Sequence, residues 1–326
     1  MNEWVELADR EYLSDFILAG GGSVRFLAGS PGELEEVSSE LDAVTEPHDF
    51  VRVDLDAAQT RLHRIDHVFF EVARQIDWAA LAKTFVAEGF RAVGWHAETT
   101  EAGFDLELIA AQNGVEVAEV RVALRKWLQA LYEDYAMSQE FRLGILQLCR
   151  AQIVNLDNAA VPVVFWLRGE LPRISELKSA KIFQKIGRHN ARLMLESLTH
   201  WLHRNGRPGL VITLDITRCI ENPRRTERRE GFYYSAGALT EVYEMLRQLI
   251  DSSASLIGTF VAVFAPPSFL SDERRGVDRY QALKMRIFDD VRTLGTQNLL
   301  APLIRLDALR LDAIGSDGAM PVEGAG

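Results

Sequence analysis

The chain has 326 residues, 48% of them hydrophobic and 25% charged, the balance of an ordinary soluble globular protein with room for one large domain or two modest ones. It holds no apolar run of roughly eighteen residues, and its acidic opening MNEWVELADREYL lacks the basic start of a secretory leader, so neither a membrane span nor a signal peptide is expected. Fourteen Asp and Glu but only three Arg fall in residues 1–60, a net −11 that equals the charge of the whole chain. Such a segment repels nucleic acid and nucleotide unless a metal intervenes, although a solvated face explains it equally well. Cys149 and Cys219 are too far apart in sequence to suggest a ligand pair, and a reducing cytoplasm is the expected setting.

In chain order, the apolar spacing from Trp4 to Leu18 predicts a helix that Gly20-Gly21-Gly22 ends. Ser23–Ala28 is a glycine-bounded apolar run and reads as a buried strand, Gly29-Ser30-Pro31-Gly32 as a turn, and Glu33–Val44 as a helix with Leu34, Val37 and Leu41 on one face. Phe50–Leu55 is the next strand. Strand, Gly-rich turn, helix, strand is the opening of a parallel α/β sheet. Residues 61–205 read as mainly helical, with helices at His63–Ile76, Val117–Tyr135, Phe141–Leu156 and Ile182–Arg204 and a weak strand pair near Phe104–Ala110. Gly209–Asp215, Ser255–Phe264 and Ala301–Leu306 return to strands, separated by helices at Gly237–Ile250 and Tyr280–Leu294. Residues 313–326, rich in Gly, Ser, Asp and Ala, read as a flexible tail.

A P-loop binds phosphate through backbone amides, a lysine that neutralises it and a hydroxyl that holds Mg²⁺. A second strand ending in Asp supplies another metal contact. Here Gly29 and Gly32 begin such a loop, but counting onward places Glu35 at the lysine and Glu36 at the hydroxyl. An anion in place of a cation about 4 Å from phosphate turns attraction into repulsion worth several kcal/mol in a partly buried site. The same acids also suit the first turn of any helix, where the dipole favours them. Gly209–Asp215 has the form of the second strand, with Ile216 where a catalytic acid would follow. Loss at both positions is the pattern of an ATPase that no longer binds ATP–Mg²⁺ in cis.

Phe183-Gln184-Lys185-Ile186-Gly187-Arg188, Gly209–Asp215, Arg229-Glu230-Gly231 with Tyr234-Ser235, and Leu239 with Tyr243–Asp251 form a collinear set. It continues through Phe269-Leu270, Arg274-Arg275-Gly276-Val277, Tyr280–Leu283 with Arg286, and Ala301-Pro302-Leu303 before Arg305-Leu306. In these stretches, together with Tyr135-Ala136, Glu140-Phe141-Arg142 and Gly21-Gly22-Ser23, the chain resembles the BrxD-like ATP-binding proteins of BREX bacteriophage-exclusion systems, along nearly its whole length. The resemblance implies an AAA-like ATPase core working in phage defence beside methyltransferase, helicase and phosphatase-like components. The departures at Glu35, Glu36 and Ile216 stop catalysis from being carried over.

Arg218, Arg224, Arg225, Arg228 and Arg229 crowd the segment after Asp215. They could reach a nucleotide bound by a neighbour, contact DNA phosphate, or pair within the chain. His63, Asp66 and His67 offer too few ligands for a metal site, so no metal is expected. Trp127, Tyr132 and Tyr135 read as a core stripe. The fold expected is α/β, a P-loop (AAA-like) parallel sheet with a large helical insertion: residues 1–60 and 206–312 as the two halves of the core, 61–205 as the insertion, 313–326 as the tail. The function expected is a non-hydrolysing, cytoplasmic subunit of an antiviral complex, scaffold or regulator of an active ATPase or helicase, in a homo- or hetero-oligomer with an active ATPase paralogue or other defence proteins, with DNA reached through that complex as an open option. An ATPase with unorthodox residues and a DNA-binding adaptor stay open as alternatives.

Overall fold

The computed structural model describes residues 2–221, 231–288 and 298–308. The chain divides into two compact units, one built from the residues up to Arg64 together with those from Pro208 onward, the other from Ile65 to Arg207. Taken along the chain, α1 (Glu3–Leu7) runs into a π-wound stretch over Ala8–Ile17, followed by β1 (Gly22–Ala28), α2 (Pro31–Thr45) and β2 (Val51–Asp56). Helices α3 (Ile65–Gln75) and α4 (Trp78–Ala92) come next, then the two-residue strands β3 (Thr99–Thr100) and β4 (Gly103–Phe104). Five further helices complete the second unit: α5 (Leu106–Asn113), α6 (Val117–Tyr132), α7 (Gln139–Arg150), α8 (Ala160–Leu167) and α9 (Ala191–Arg204). The first unit resumes with β5 (Leu210–Asp215), α10 (Thr217–Ile220), α11 (Ala236–Asp251), β6 (Thr259–Ala265), α12 (Ser268–Ser271), α13 (Gln281–Ile287) and β7 (Leu303–Arg305).

The first unit is an α/β layer structure around a five-stranded sheet in the order β2-β5-β6-β1-β7, parallel at every pairing. Parallel strands buried on both faces read as continuous apolar runs, and every residue of β6 is buried. On one face Trp4, Leu13, Leu34, Val37 and Leu41 from the N-terminal helix and α2 pack over Leu27, Phe260 and Phe264. Tyr12 meets Phe260 of β6 in a tilted ring contact at 5.7 Å and accepts hydrogen bonds from the Arg25 guanidinium, so the helix is tied to β6 by apolar contact and to β1 by polar contact. On the other side Phe26 stacks on Phe269, which meets Tyr243 of α11 edge-on. The result is a rigid sheet whose strands all deliver their carboxyl ends to one edge, where ligands of such sheets bind.

The second unit is helical around an aromatic core. Phe85 lies 5.2 Å from Trp127 and 4.9 Å from Trp201, and the Trp127 indole donates to the Phe85 carbonyl at 2.9 Å. Gly89 on α4 makes this packing possible: a Cβ there would stand 2.5 Å from the Trp127 ring.

Several sequence expectations change here. Residues 182–190 are not helical, because the Asn190 side chain accepts the Gly187 N–H at 2.8 Å and the helix begins only at Ala191. The strand pair expected near Phe104–Ala110 lies earlier, as β3 and β4 at Thr99–Phe104; from Leu106 the chain forms α5, capped by Asp105 and ended by Gly114 at φ +63°. The strand expected from Ser255 starts at Thr259, after a turn at Gly258 with φ +64°. Tyr135 is 80% exposed and Tyr132 38%, so of the expected core stripe only Trp127, itself half-buried, packs against the aromatic core; the two tyrosines instead flank the buried Arg142 guanidinium. His63 precedes α3 rather than lying on it. The segment 313–326 and the continuation of the last expected helix past Phe288 lie outside the described residues.

Candidate nucleotide site at the carboxyl edge of the sheet

Only Gly29 and Ser30 separate β1 from α2. A phosphate-cradling arch needs several loop residues between strand and helix, and this connection has none to spare. Gly29 continues the ladder, its N–H donating to Ala265 at 3.1 Å. A Cβ on it would come within 2.8 Å of Leu306, so its glycine serves the packing of the chain after β7. Gly32 is an exposed residue of the first helical turn, with nothing within 4 Å of where a Cβ would stand.

The N-terminus of a helix attracts an anion through its free N–H groups and its dipole. Here the anion is the chain's own. Ser30 is the N-cap of α2 and Glu33 its N3 residue, and the two close a capping box. One Glu33 carboxylate oxygen accepts the Ser30 N–H at 2.8 Å and the Ser30 hydroxyl at 2.7 Å. Glu35 and Glu36 are exposed in the second turn of α2, not at the helix start where counting along the sequence places them.

Opposite, β2 and β5 end in register on Asp56 and Asp215. Both carboxylates turn back on their own chain: Asp56 accepts the Ala58 N–H and Asp215 the Thr217 N–H, each at 2.7 Å. Ile216 is fully buried, its N–H donating to Phe264 at 2.9 Å. Arg218 is half-buried and donates to the Phe232 carbonyl at 3.0 Å. Arg224, Arg225, Arg228 and Arg229 lie outside the described residues.

Tyr234, from sequence only one of the resemblance positions, is the residue that stitches this edge together. The Tyr234 hydroxyl lies 2.9 Å from the Ala57 carbonyl and 2.5 Å from that of Thr60, sharing its proton, and accepts the Leu62 N–H at 3.2 Å. The Arg275 guanidinium donates to the Cys219 and Tyr234 carbonyls, binding the same segments from the other side. Burial pushes the Cys219 thiol and the Tyr234 phenol above their ordinary pKa values, so both stay neutral. Arg286, read from sequence as one of the resemblance positions, joins Asp251 at 2.5 Å and links α13 to α11. Among the described residues no group of three or more His, Cys, Asp or Glu could hold a metal ion, and no helix is long and apolar enough to cross a membrane.

Residues 14–316 match the family described as BREX system ATP-binding protein BrxC/D. The chain belongs to this family. No curated protein and no solved structure matches it. As a BrxC/D family member it is placed in a multi-protein phage-defence system. Its residues around Ser30 fit ATP–Mg²⁺ poorly: the strand–helix connection offers no arch, and a carboxylate stands at the helix terminus where phosphate would need amides and a cation.

Proposed function

We propose that this BrxC/D family member is a non-hydrolysing, ATPase-shaped subunit of a BREX-type defence complex, acting on partner proteins rather than on ATP. The observation that carries the reading is Glu33. Its carboxylate already takes the Ser30 N–H and hydroxyl at the start of α2, so a phosphate arriving there would displace a satisfied anion while meeting its charge. The buried Ile216 and the exposed Glu35 and Glu36 support the same conclusion. The sheet keeps an AAA-like arrangement, with β6 standing between β1 and the Asp215 strand, which suits a part that packs among ATPases. With the strongly acidic first sixty residues, α2 offers an anionic surface for a basic partner, an active paralogue among them.

A second reading, an ATP-binding subunit with unorthodox residues, is favoured by the family description and by Asp56 and Asp215 ending side by side. Reconstitution separates the two. Mixed with a family member that retains the Gly-Lys-Ser signature, the chain is expected to co-elute with it and to change its ATP turnover, while the chain alone hydrolyses nothing. Turnover by the isolated chain that disappears in Asp215→Asn establishes the second reading instead.

A further inference from the structure

Within the helical unit, α6 and α7 border an open cavity of ≈ 550 Å³, inside the usual range of about 300–1,000 Å³ for ligand sites. Its floor is aliphatic: Leu106, Leu128, Leu143, Leu146 and Leu156 converge there from α5, α6, α7 and the segment after α7, and all five remain half-buried. Side chains of this kind normally complete a core, and here they end at a groove.

The rim is cationic. Arg121 and Arg125, one turn apart on α6, face the groove together with Arg150 and Lys181, and no Asp or Glu lines it. None of the four has a carboxylate partner among the described residues, and the Arg150 Nε is buried without a hydrogen-bond partner. Three other arginines of the unit do have carboxylates beside them: Arg74 pairs with Glu71 and Glu170, Arg91 with Glu88, and Arg204 approaches Asp134 at 3.6 Å. The unit as a whole is balanced, with seventeen Lys and Arg and seventeen Asp and Glu in residues 65–207, so the cationic rim is a local concentration of charge. A buried guanidinium nitrogen without an acceptor costs free energy until a partner supplies one.

We propose that this groove is the docking site for an acidic amphipathic helix of a partner protein. Leucine-type residues at i, i+3, i+4 and i+7 would fill the floor, and glutamates or aspartates flanking them would pair with Arg121, Arg125, Arg150 and Lys181. Charge complementarity picks this occupant, with the cations steering the encounter and the aliphatic floor holding the helix. A nucleic acid fits the floor less well: base stacking needs aromatic platforms, and Tyr132 is the one aromatic side chain among the lining residues. The inference stands apart from the nucleotide reading, since the groove lies within the helical unit and an ATP titration of either outcome leaves it untouched.

Fluorescence anisotropy on the full chain tests it. The probe is a labelled amphipathic peptide of roughly eighteen residues, leucines on one face and glutamates on both flanks. The wild-type chain is expected to bind it with low-micromolar Kd. Arg121→Glu/Arg125→Glu should weaken binding about tenfold or more, Arg121→Lys/Arg125→Lys should keep most of it, and a peptide with lysines for glutamates should not bind. Both arginines are exposed, so the variants should fold, and an unchanged circular-dichroism melt checks this. No binding by the wild-type chain, equal binding by the charge-reversed variant, or equal binding of the lysine peptide overturns the proposal. A labelled single-stranded oligonucleotide that binds in the peptide's place, and is lost on charge reversal, reassigns the groove to nucleic acid.

Discussion

The carboxyl edge of the sheet and the groove of the helical unit differ in how their polar groups are spent. At the edge, Ser30 and Glu33 satisfy each other, Asp56 and Asp215 cap their own turns, and Tyr234 and Arg275 bind neighbouring carbonyls. In the groove, four cations have no carboxylate partner among the described residues and half-buried leucines lie between them. The fold alone directs attention to the edge, because parallel α/β sheets bind ligands there. Side-chain chemistry directs it to the groove. Position in a fold tells where a family can work, while unsatisfied groups tell where this member has something left to offer.

The largest effect is expected in the helical unit. Gly89→Ala places a methyl group against the Trp127 ring, which is anchored by its bond to Phe85. Overpacking of this kind should cost about 1–3 kcal/mol. Chemical denaturation followed by tryptophan fluorescence should show that loss, together with weaker peptide binding because α4 supports α6.

A smaller effect is expected at the edge. Ser30→Ala removes the N-cap of α2 and the hydroxyl that Glu33 engages, for about 1 kcal/mol. The melting temperature should fall accordingly, and peptide binding in the groove should stay unchanged. A variant that lost peptide binding as well would show that the two regions are not independent.

The smallest effect is one of pH. Hydrogen bonds from Arg247, then from Tyr280 and Gln248, hold the Glu244 carboxyl down at about 2, against an ordinary 4.5. A depressed carboxyl contributes stability that is fully present above its unfolded value and is lost as pH falls through its folded one. The window here is therefore from about pH 4.5 down to about pH 2. Glu244→Gln should lower stability at neutral pH and flatten this acid limb. Denaturation midpoints at about pH 6 and about pH 3 measure the difference, and parallel curves for wild type and variant would remove Glu244 from the account.

Much of the sheet could be read from sequence because its signals are local. Glycine-bounded apolar runs mark β1 and β5, and the spacing of Leu34, Val37 and Leu41 marks α2. Strand order could not be read, since β1 pairs with β6 and β7, more than two hundred residues away in sequence. The site shows both cases in one turn. Ser30-x-x-Glu33 is a capping-box signature in plain view, yet counting against a P-loop pattern drew attention to Glu35 and Glu36, which the early start of α2 places a turn too far along. Tyr234 carries no local signal, because its partners Ala57, Thr60 and Leu62 lie more than 170 residues earlier. The groove is equally silent in sequence: its leucines and cations come from stretches between Leu106 and Lys181 that only the packing of α5, α6 and α7 brings together.

If Glu33 closes the start of α2 to phosphate as proposed, the carboxyl edge does not accept ATP–Mg²⁺ in cis. Isothermal titration of the full chain with ATP–Mg²⁺ tests it most directly. No saturable heat is expected up to millimolar nucleotide. Saturable binding at micromolar concentration, lost in Asp215→Asn, would contradict it.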